Sequence, residues 1–364
     1  MKIVSVVGAR PNFVKLGPVH RALDDAGYEH IIVHTGQHYD YEMYKIFFTD
    51  FGLPIPNVDL GVGSGSACFQ IGEMTKRLEH VLDGRNIDLV LVYGDTNSTL
   101  AGAICANKCN IKLGHIEAGL RSYDRTMPEE NNRILTDHLS DYLFAPTKNA
   151  TRILKRENVR GAIFYTGDLS VEIIANAKLV SAHSKILDTL GLESKSFLLL
   201  TMHRAENTSS KEYFVQLLKA LESLIDLTIV FPIHPRTLKM FRTYELLDRL
   251  LKCSNVRLIS PVGYIDFIAL LQNAMKAITD SGGIQKESYL LKVPCITIRK
   301  NTEWMETTRG RWNLMTGMDS NKIIDAVRSK HPTSQYDITI FGNGNTSQVI
   351  NDIITALDYC AIDK

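Results

Sequence analysis

What most restricts the fold of this 364-residue chain is an alternation of short, almost wholly apolar runs with amphipathic stretches of helical length. In the first half the runs are KIVSVVG (2–8), HIIVHTG (30–36), IDLVLVYGD (87–95), IKLGHIE (111–117), DYLFAP (141–146) and AIFYTG (162–167). Between them, FVKLGPVHRALDDAG (13–27), CFQIGEMTKRLEHVLDG (68–84) and STLAGAICANKC (98–109) read as helices. A strand that is apolar on both faces must be covered on both, so the pattern predicts a parallel sheet wrapped by helices. A polar helical stretch over 170–195 interrupts the rhythm. It restarts with FLLLTMH (197–203), LTIVFPIHP (227–235), NVRLISP (255–261), KAITDSGG (276–283) and PCITIR (294–299).

The expected fold is α/β, with two Rossmann-like, doubly wound parallel-sheet domains and a ligand cleft between the carboxyl ends of their strands. The domain boundaries read as 1–170 and 196–345, with 171–195 as a helical hinge and 346–364 as a C-terminal helix returning to the first domain. A net charge of +1 supplies no global field toward nucleic acid or a membrane, so an anionic ligand needs a local site. The six cysteines (68, 105, 109, 253, 295, 360) lack a CxxC pair and read as reduced, mostly buried thiols of a cytoplasmic chain. The apolar run after Met1 is short and reads as a first strand rather than a signal peptide, and no later segment approaches a membrane span. GVGSGSA (61–67) reads as a mobile loop, since no strand leads directly into it.

Polar groups gather just after the strands. His30, His34 and His38 share a four-residue spacing, but on a strand that spacing does not bring the rings together, and no metal is expected. VVGARPNFVKLGP lacks the dinucleotide fingerprint, so no cofactor is expected. It does place Arg10 and Lys15 around the opening of a helix, which suits an anion. In KAITDSGGIQKES a strand ends in Asp280, and Ser281, Gly282 and Gly283 turn into a helix. Free N–H groups at that helix start, with two glycines leaving them open, suit a pyrophosphate; a tight turn that merely needs glycine is the plainer account. Glu287 lies one turn on, within reach of a ribose. His203, Arg204, His234 and Arg236 end the first two strands of the same half, and together these groups suggest a nucleoside diphosphate.

In the first half, Asp95, Glu117 and Glu129 occupy matching places after strands or in the first turn of a helix. On that helix Ile134, Leu135, His138 and Leu139 share one face, and Glu129 and Arg133 share another. An i,i+4 ion pair is the plain account of Glu129, and capping that of Asp95 and Glu117.

GARPNFVK, YGDTNSTLAGA, GHIEAGLRSYDRTMPEENNRILTDH, TMHRAEN, FPIHPRT, PVGYIDF and TDSGGIQKES together resemble the non-hydrolysing UDP-N-acetylglucosamine 2-epimerase family, in order and spacing from residue 1 to about 350. The resemblance implies two domains of the glycosyltransferase-B type, a cytoplasmic homodimer and a UDP-sugar substrate for surface polysaccharide synthesis. It implies that Asp95, Glu117 and Glu129 are catalytic carboxylates and His203 a histidine near the pyrophosphate. It makes Arg10 and Lys15 phosphate- and sugar-side cations, Phe267 the aromatic stacked on uracil, and Ser281, Gly282 and Glu287 diphosphate and ribose contacts. Arg133, Arg204, His234 and Gly283 complete the expected substrate-binding set. The implied reaction expels UDP from C1, removes the C2 proton to give a 2-acetamidoglucal, and re-adds UDP after reprotonation on the opposite face. It needs cations and a helix dipole for the diphosphate and carboxylates for the protons.

Three departures stand out. Asn12 replaces the carboxylate of the family's GTRPE, and FGNGN (341–345) stands for YGDG. Trp304 and Met305 replace the arginine and proline of TERPE, a form similar to the subgroup acting on UDP-2,3-diacetamido-2,3-dideoxyglucuronate. The alternatives are therefore that uronate as substrate, or a UDP-sugar glycosyltransferase on the same fold. A second, activating UDP-GlcNAc site is left open, with Gln37 and His38 retained from that region.

Overall fold

The computed structural model describes residues 1–37, 54–332 and 336–362. The chain divides into two compact units, Met1–Ile173 with Ile338–Lys364, and Ile174–Asp337. His38 lies outside the described residues, as does the side chain of Arg10.

Among its described residues the first unit holds seven strands, β1 (Lys2–Val7), β2 (Glu29–His34), β3 (Val58–Asp59), β4 (Leu89–Tyr93), β5 (Lys112–Ile116), β6 (Tyr142–Ala145) and β7 (Ala162–Tyr165). They form one sheet in the order β3-β2-β1-β4-β5-β6-β7, and all of the pairs are parallel. Val4, Val6, Val90 and Val92 pack with Met74, Leu78, Ala101 and Cys105 of the helices Ala67–Leu82 and Asn97–Lys108. Alternate residues Ile3, Val7, Leu89 and Leu91 are also wholly buried, so the sheet is covered on both faces. The second unit holds β8 (Phe197–Thr201), β9 (Thr228–Pro232), β10 (Val256–Ile259), β11 (Lys276–Thr279), β12 (Cys295–Thr297) and β13 (Asn313–Met315). Their order is β10-β9-β8-β11-β12-β13, again parallel throughout.

Both units are thus doubly wound Rossmann-like sheets, and the strand order reverses between β1 and β4 and between β8 and β11. Loops leaving the carboxyl ends on either side of such a switch diverge, which opens a crevice for a ligand.

Local chemistry sets the helix starts. The side-chain oxygens of Ser66, Thr96 and Thr147 accept from Phe69, Thr99 and Ala150 N–H groups at the starts of their helices. GVGSGSA is therefore the lead-in to a capped helix, and β3 precedes it, contrary to the expectation that no strand does. The C-terminal helix Thr346–Ile362 belongs to the first unit, where Ser347 donates to Glu172 and Thr355 accepts from Tyr28.

The helix Pro128–Leu139 buries a polar face. Its buried residues are Glu130, Asn132, Arg133, Thr136 and Asp137, while Leu135 and His138 are exposed. An amphipathic reading fails here because the inward face carries ion pairs and hydrogen bonds rather than an apolar stripe. Among the described residues no helix is long and apolar enough to cross a membrane, and Cys68, Cys105, Cys109, Cys253 and Cys295 are free thiols.

Candidate active site

In the first unit the switch between β1 and β4 is tied together by one neutral side chain. Asn12, 1% exposed, accepts through Oδ1 from the N–H groups of Gly8 (3.2 Å) and Ala9 (3.0 Å) and donates through Nδ2 to the Tyr93 carbonyl (2.8 Å). Thr96 Oγ1 also donates to Asn12 Oδ1, at 3.2 Å. With those donors and that acceptor placed around it, an amide satisfies both ends of the contact, which a carboxylate cannot. Gly8 is required by packing, since a Cβ there would lie 1.9 Å from Thr35 Oγ1.

The helix Arg10–Asp25 starts at this switch and carries Lys15 across to β5. Lys15 Nζ lies 2.7 Å from Glu117 Oε2, and both side chains are nearly covered. Glu117 follows β5 with a left-handed backbone (φ +73°), an unusual conformation for a residue with a Cβ. Gly94 lies against the pair: a Cβ on it would meet Lys15 Nζ at 3.2 Å. Asp95, next in the chain, binds the Arg133 guanidinium, whose other arm holds the buried Glu130. Glu130 in turn accepts from Ser122 N (2.9 Å) and Tyr123 N (2.8 Å), fixing the loop before the helix. Arg133 is thus the buried counter-ion of Asp95, 2% exposed. Glu129 is half-buried in the helix's first turn. Asp95, Glu117, Lys15 and Arg133 therefore come together around the carboxyl ends of β4 and β5.

In the second unit the switch between β8 and β11 is organised by Asp280, which is wholly buried. Its carboxylate accepts from the N–H groups of His203 (3.0 Å) and Arg204 (2.9 Å) and from Asn207 Nδ2 (3.2 Å). His203 Nδ1 lies 3.3 Å from the same group, and the His203 and His234 rings sit 5.6 Å apart. His234 caps the helix Pro235–Thr243 by accepting from Arg236 N–H. Thus His203, Arg204 and His234 do gather in one place, through a buried carboxylate whose part the residue spacing does not reveal.

Ser281 precedes the helix Gly282–Leu290 and makes no side-chain cap bond. Neither glycine has a positive φ. Gly282 is required by crowding, since a Cβ there would lie 2.0 Å from Glu303 Oε1 and 3.4 Å from the indole nitrogen of Trp304. At Gly283 a Cβ would meet nothing closer than Ser281 Oγ at 3.8 Å. Arg299 holds Glu303 in place (3.1 Å) and pairs by charge with Glu206 at 2.8 Å, without the alignment of a hydrogen bond. Trp304 is buried, and the Lys286 ammonium lies 3.9 Å above its ring. Glu287 accepts from the Tyr264 hydroxyl (3.2 Å), and Phe267 is 7% exposed on the helix Tyr264–Asn273. Arg299 and Glu303 carry no signal in the motifs, and the motifs place Asn12 and Asp280 without showing which N–H groups they hold. A strand-end acid followed by a turn was the one available signal, at Asp280.

The family model described as UDP-N-acetylglucosamine 2-epimerase matches residues 21–355. A Methanococcus maripaludis protein named UDP-N-acetylglucosamine 2-epimerase homolog is 50% identical over 98% of this chain and 100% of its own length. The UDP-2,3-diacetamido-2,3-dideoxy-D-glucuronate 2-epimerase of Pseudomonas aeruginosa is 40% identical over 98% of this chain and 100% of its own. Among solved structures, the Methanocaldococcus jannaschii UDP-GlcNAc 2-epimerase in complex with UDP-GlcNAc and UDP superimposes with a TM-score of 0.91 at 41% identity, covering 98% of this chain and 100% of that one.

Proposed function

Because the chain belongs to the UDP-N-acetylglucosamine 2-epimerase family of isomerases, we propose that it interconverts the C2 epimers of a UDP-2-acetamido sugar, with UDP-GlcNAc as substrate. The observation that carries this reading is the placement of two carboxylates, Asp95 and Glu117, at the ends of adjacent strands, each beside a cation. The C2 hydrogen has no neighbouring carbonyl to acidify it, so a carboxylate alone does not remove it. Breaking the C1–O bond first, with both electrons leaving on UDP, puts positive charge on the ring and acidifies C2. A carboxylate then takes the proton, the C1–C2 double bond of a 2-acetamidoglucal forms, and protonation of the other face followed by UDP attack at C1 gives the epimer.

The helix start at Gly282 and Gly283 suits a diphosphate. Gly283 is glycine where neither backbone conformation nor packing demands it, which supports close approach of a ligand to the N–H groups of that helix start. His203, Arg204 and His234 add donors and charge beside it. Incubation with UDP-GlcNAc in heavy water, without acceptor or NAD, tests the reading by NMR. Deuterium at C2 and an epimer mixture are expected, and intact undeuterated substrate sinks it. The diacetamido uronate is the second reading, favoured by the likeness of the Trp304–Met305 form to the subgroup acting on it and not by the charge lost with the arginine, and the same experiment on that sugar decides between them.

A further inference from the structure

Behind the two carboxylates lies a buried pair that the reaction does not touch. His115 on β5 and Asp137 on the helix Pro128–Leu139 are both wholly buried. His115 Nδ1 lies 2.7 Å from Asp137 Oδ1, and Nε2 lies 2.7 Å from the Gly94 carbonyl oxygen. The second oxygen of Asp137 accepts from Gly119 N–H (3.1 Å) and lies 2.7 Å from Arg121, which holds Glu157 through two bonds of 2.9 and 2.6 Å.

These contacts fix the protons. A carbonyl only accepts, so Nε2 must carry a hydrogen. Asp137 already receives Gly119 and Arg121 on its other oxygen. Burial alone would raise its carboxyl, but His115 and Arg121 outweigh that and hold it below the usual carboxylate range. An ionised Asp137 makes Nδ1 a donor as well. The charges then balance, since two cations, His115 and Arg121, face two anions, Asp137 and Glu157.

The position of the pair gives it a task. Gly94 immediately precedes Asp95, and its free face lies against the Lys15–Glu117 pair. Gly119 lies two residues after Glu117, in the turn that holds the left-handed φ. His115 therefore grips the turn that carries Asp95, Asp137 grips the turn that carries Glu117, and the two grip each other.

We propose that His115, donating from both ring nitrogens, and Asp137 form a clamp that positions Asp95 and Glu117 relative to one another. The clamp rests on the reading of those carboxylates as the proton-handling groups. Its members touch no substrate atom and are positioning residues. Displacement of reacting groups by about 1 Å costs on the order of a hundredfold in rate, so a loosened clamp shows in kcat rather than in nucleotide affinity.

The test uses the full chain with histidine labelled at its ring nitrogens, the His115 signals being identified by their loss in His115→Gln. Two protonated ring nitrogens are expected at the pH of the exchange assay, because one faces a carbonyl and the other a carboxylate; one unprotonated ring nitrogen there overturns the assignment. Folded His115→Gln is expected to bind UDP within about twofold of the wild type while C2 deuterium uptake falls at least tenfold in kcat. Should that variant not fold, Asp137→Asn serves: its amide turns an N–H toward Nδ1, the ring drops to a single proton on Nε2, and kcat falls likewise. Normal wild-type exchange with kcat unchanged in the folded variants overturns the clamp. Absence of exchange in the wild type overturns the reading of the reaction instead, and the ring signals still judge the donor pattern.

Discussion

The Lys15 ammonium lies 2.7 Å from the Glu117 carboxylate, and Glu117 presents that carboxylate from a left-handed backbone at φ +73°. Such a conformation costs on the order of 1–3 kcal/mol for a residue with a Cβ, and it persists where the surrounding contacts over-determine it. Here the Phe144 carbonyl accepts from both Glu117 N–H and Ala118 N–H. Glu117→Gln keeps the backbone and the size of the side chain but removes its capacity to take a proton. UDP binding is expected within about twofold of the wild type by calorimetry, and C2 deuterium uptake is expected to fall about a hundredfold or more. Retained uptake would show that Glu117 is structural.

Arg133 bridges Asp95 and the buried Glu130. Removing it leaves Glu130, 1% exposed, as an uncompensated charge. Arg133→Met is expected to lose about 3–5 kcal/mol in urea unfolding, the range for breaking one side of a buried pair. Arg133→Lys should also lose stability, because one ammonium cannot reproduce a two-armed bridge. A loss below about 1 kcal/mol in Arg133→Met would mean that Glu130 is satisfied by the Ser122 and Tyr123 donors alone.

How far these features were readable beforehand depended on whether chemistry or spacing encodes them. Eleven of the strands announce themselves as apolar runs, because a doubly covered sheet leaves no polar face. The two that escaped are β3, of two residues, and β13, whose Asn313–Met315 holds only two apolar residues in a row. The inward face of the helix Pro128–Leu139 is not legible from its pattern, because it buries Glu130, Arg133 and Asp137, and only tertiary contacts reveal that. At the candidate site, the strand-end positions of Asp95, Glu117, His203 and Ser281 follow from the alternation alone. The partners of Asp280 do not, because they are N–H groups of a loop nearly eighty residues away, with |i−j| of 76 and 77. The crowding of Gly282 by Glu303 is equally invisible to spacing.

His30 gives the fold an acid-side weakness. Burial first, and the neighbouring His20 second, push its imidazole down from 6.5 to about 3. His30 Nε2 lies 2.8 Å from Ser5 Oγ, and Nδ1 lies 2.9 Å from His20 Nδ1. Between those two values the unfolded chain binds a proton that the folded chain does not. Stability from this group is therefore complete above about pH 6.5 and declines as the pH falls toward 3, by up to about 1.4 kcal/mol per pH unit. In His30→Gln that slope should be shallower by the same amount, measured as urea unfolding free energy at a series of pH values. An unchanged slope would place the acid sensitivity elsewhere.

Gly282 and Gly283 are neighbours at one helix start but answer to different demands. A methyl at Gly282 would overlap Glu303, whose carboxylate is held by the buried Arg299. Gly282→Ala therefore forces Glu303 and Arg299 aside, and a stability loss of about 1–3 kcal/mol is expected, as for overpacking elsewhere. Gly283 has ordinary helical backbone and room for a methyl. By chain entropy alone, Gly283→Ala should stabilise the fold by about 0.4–1 kcal/mol. If a diphosphate must approach the N–H groups at this point, the same methyl stands in its way, and the dissociation constant for UDP should rise at least about tenfold, or about 1.4 kcal/mol. Gain of stability with loss of affinity in one variant separates a glycine kept for a ligand from one kept for a turn. A Gly283→Ala protein that is more stable and binds UDP as before would remove the diphosphate from this helix start.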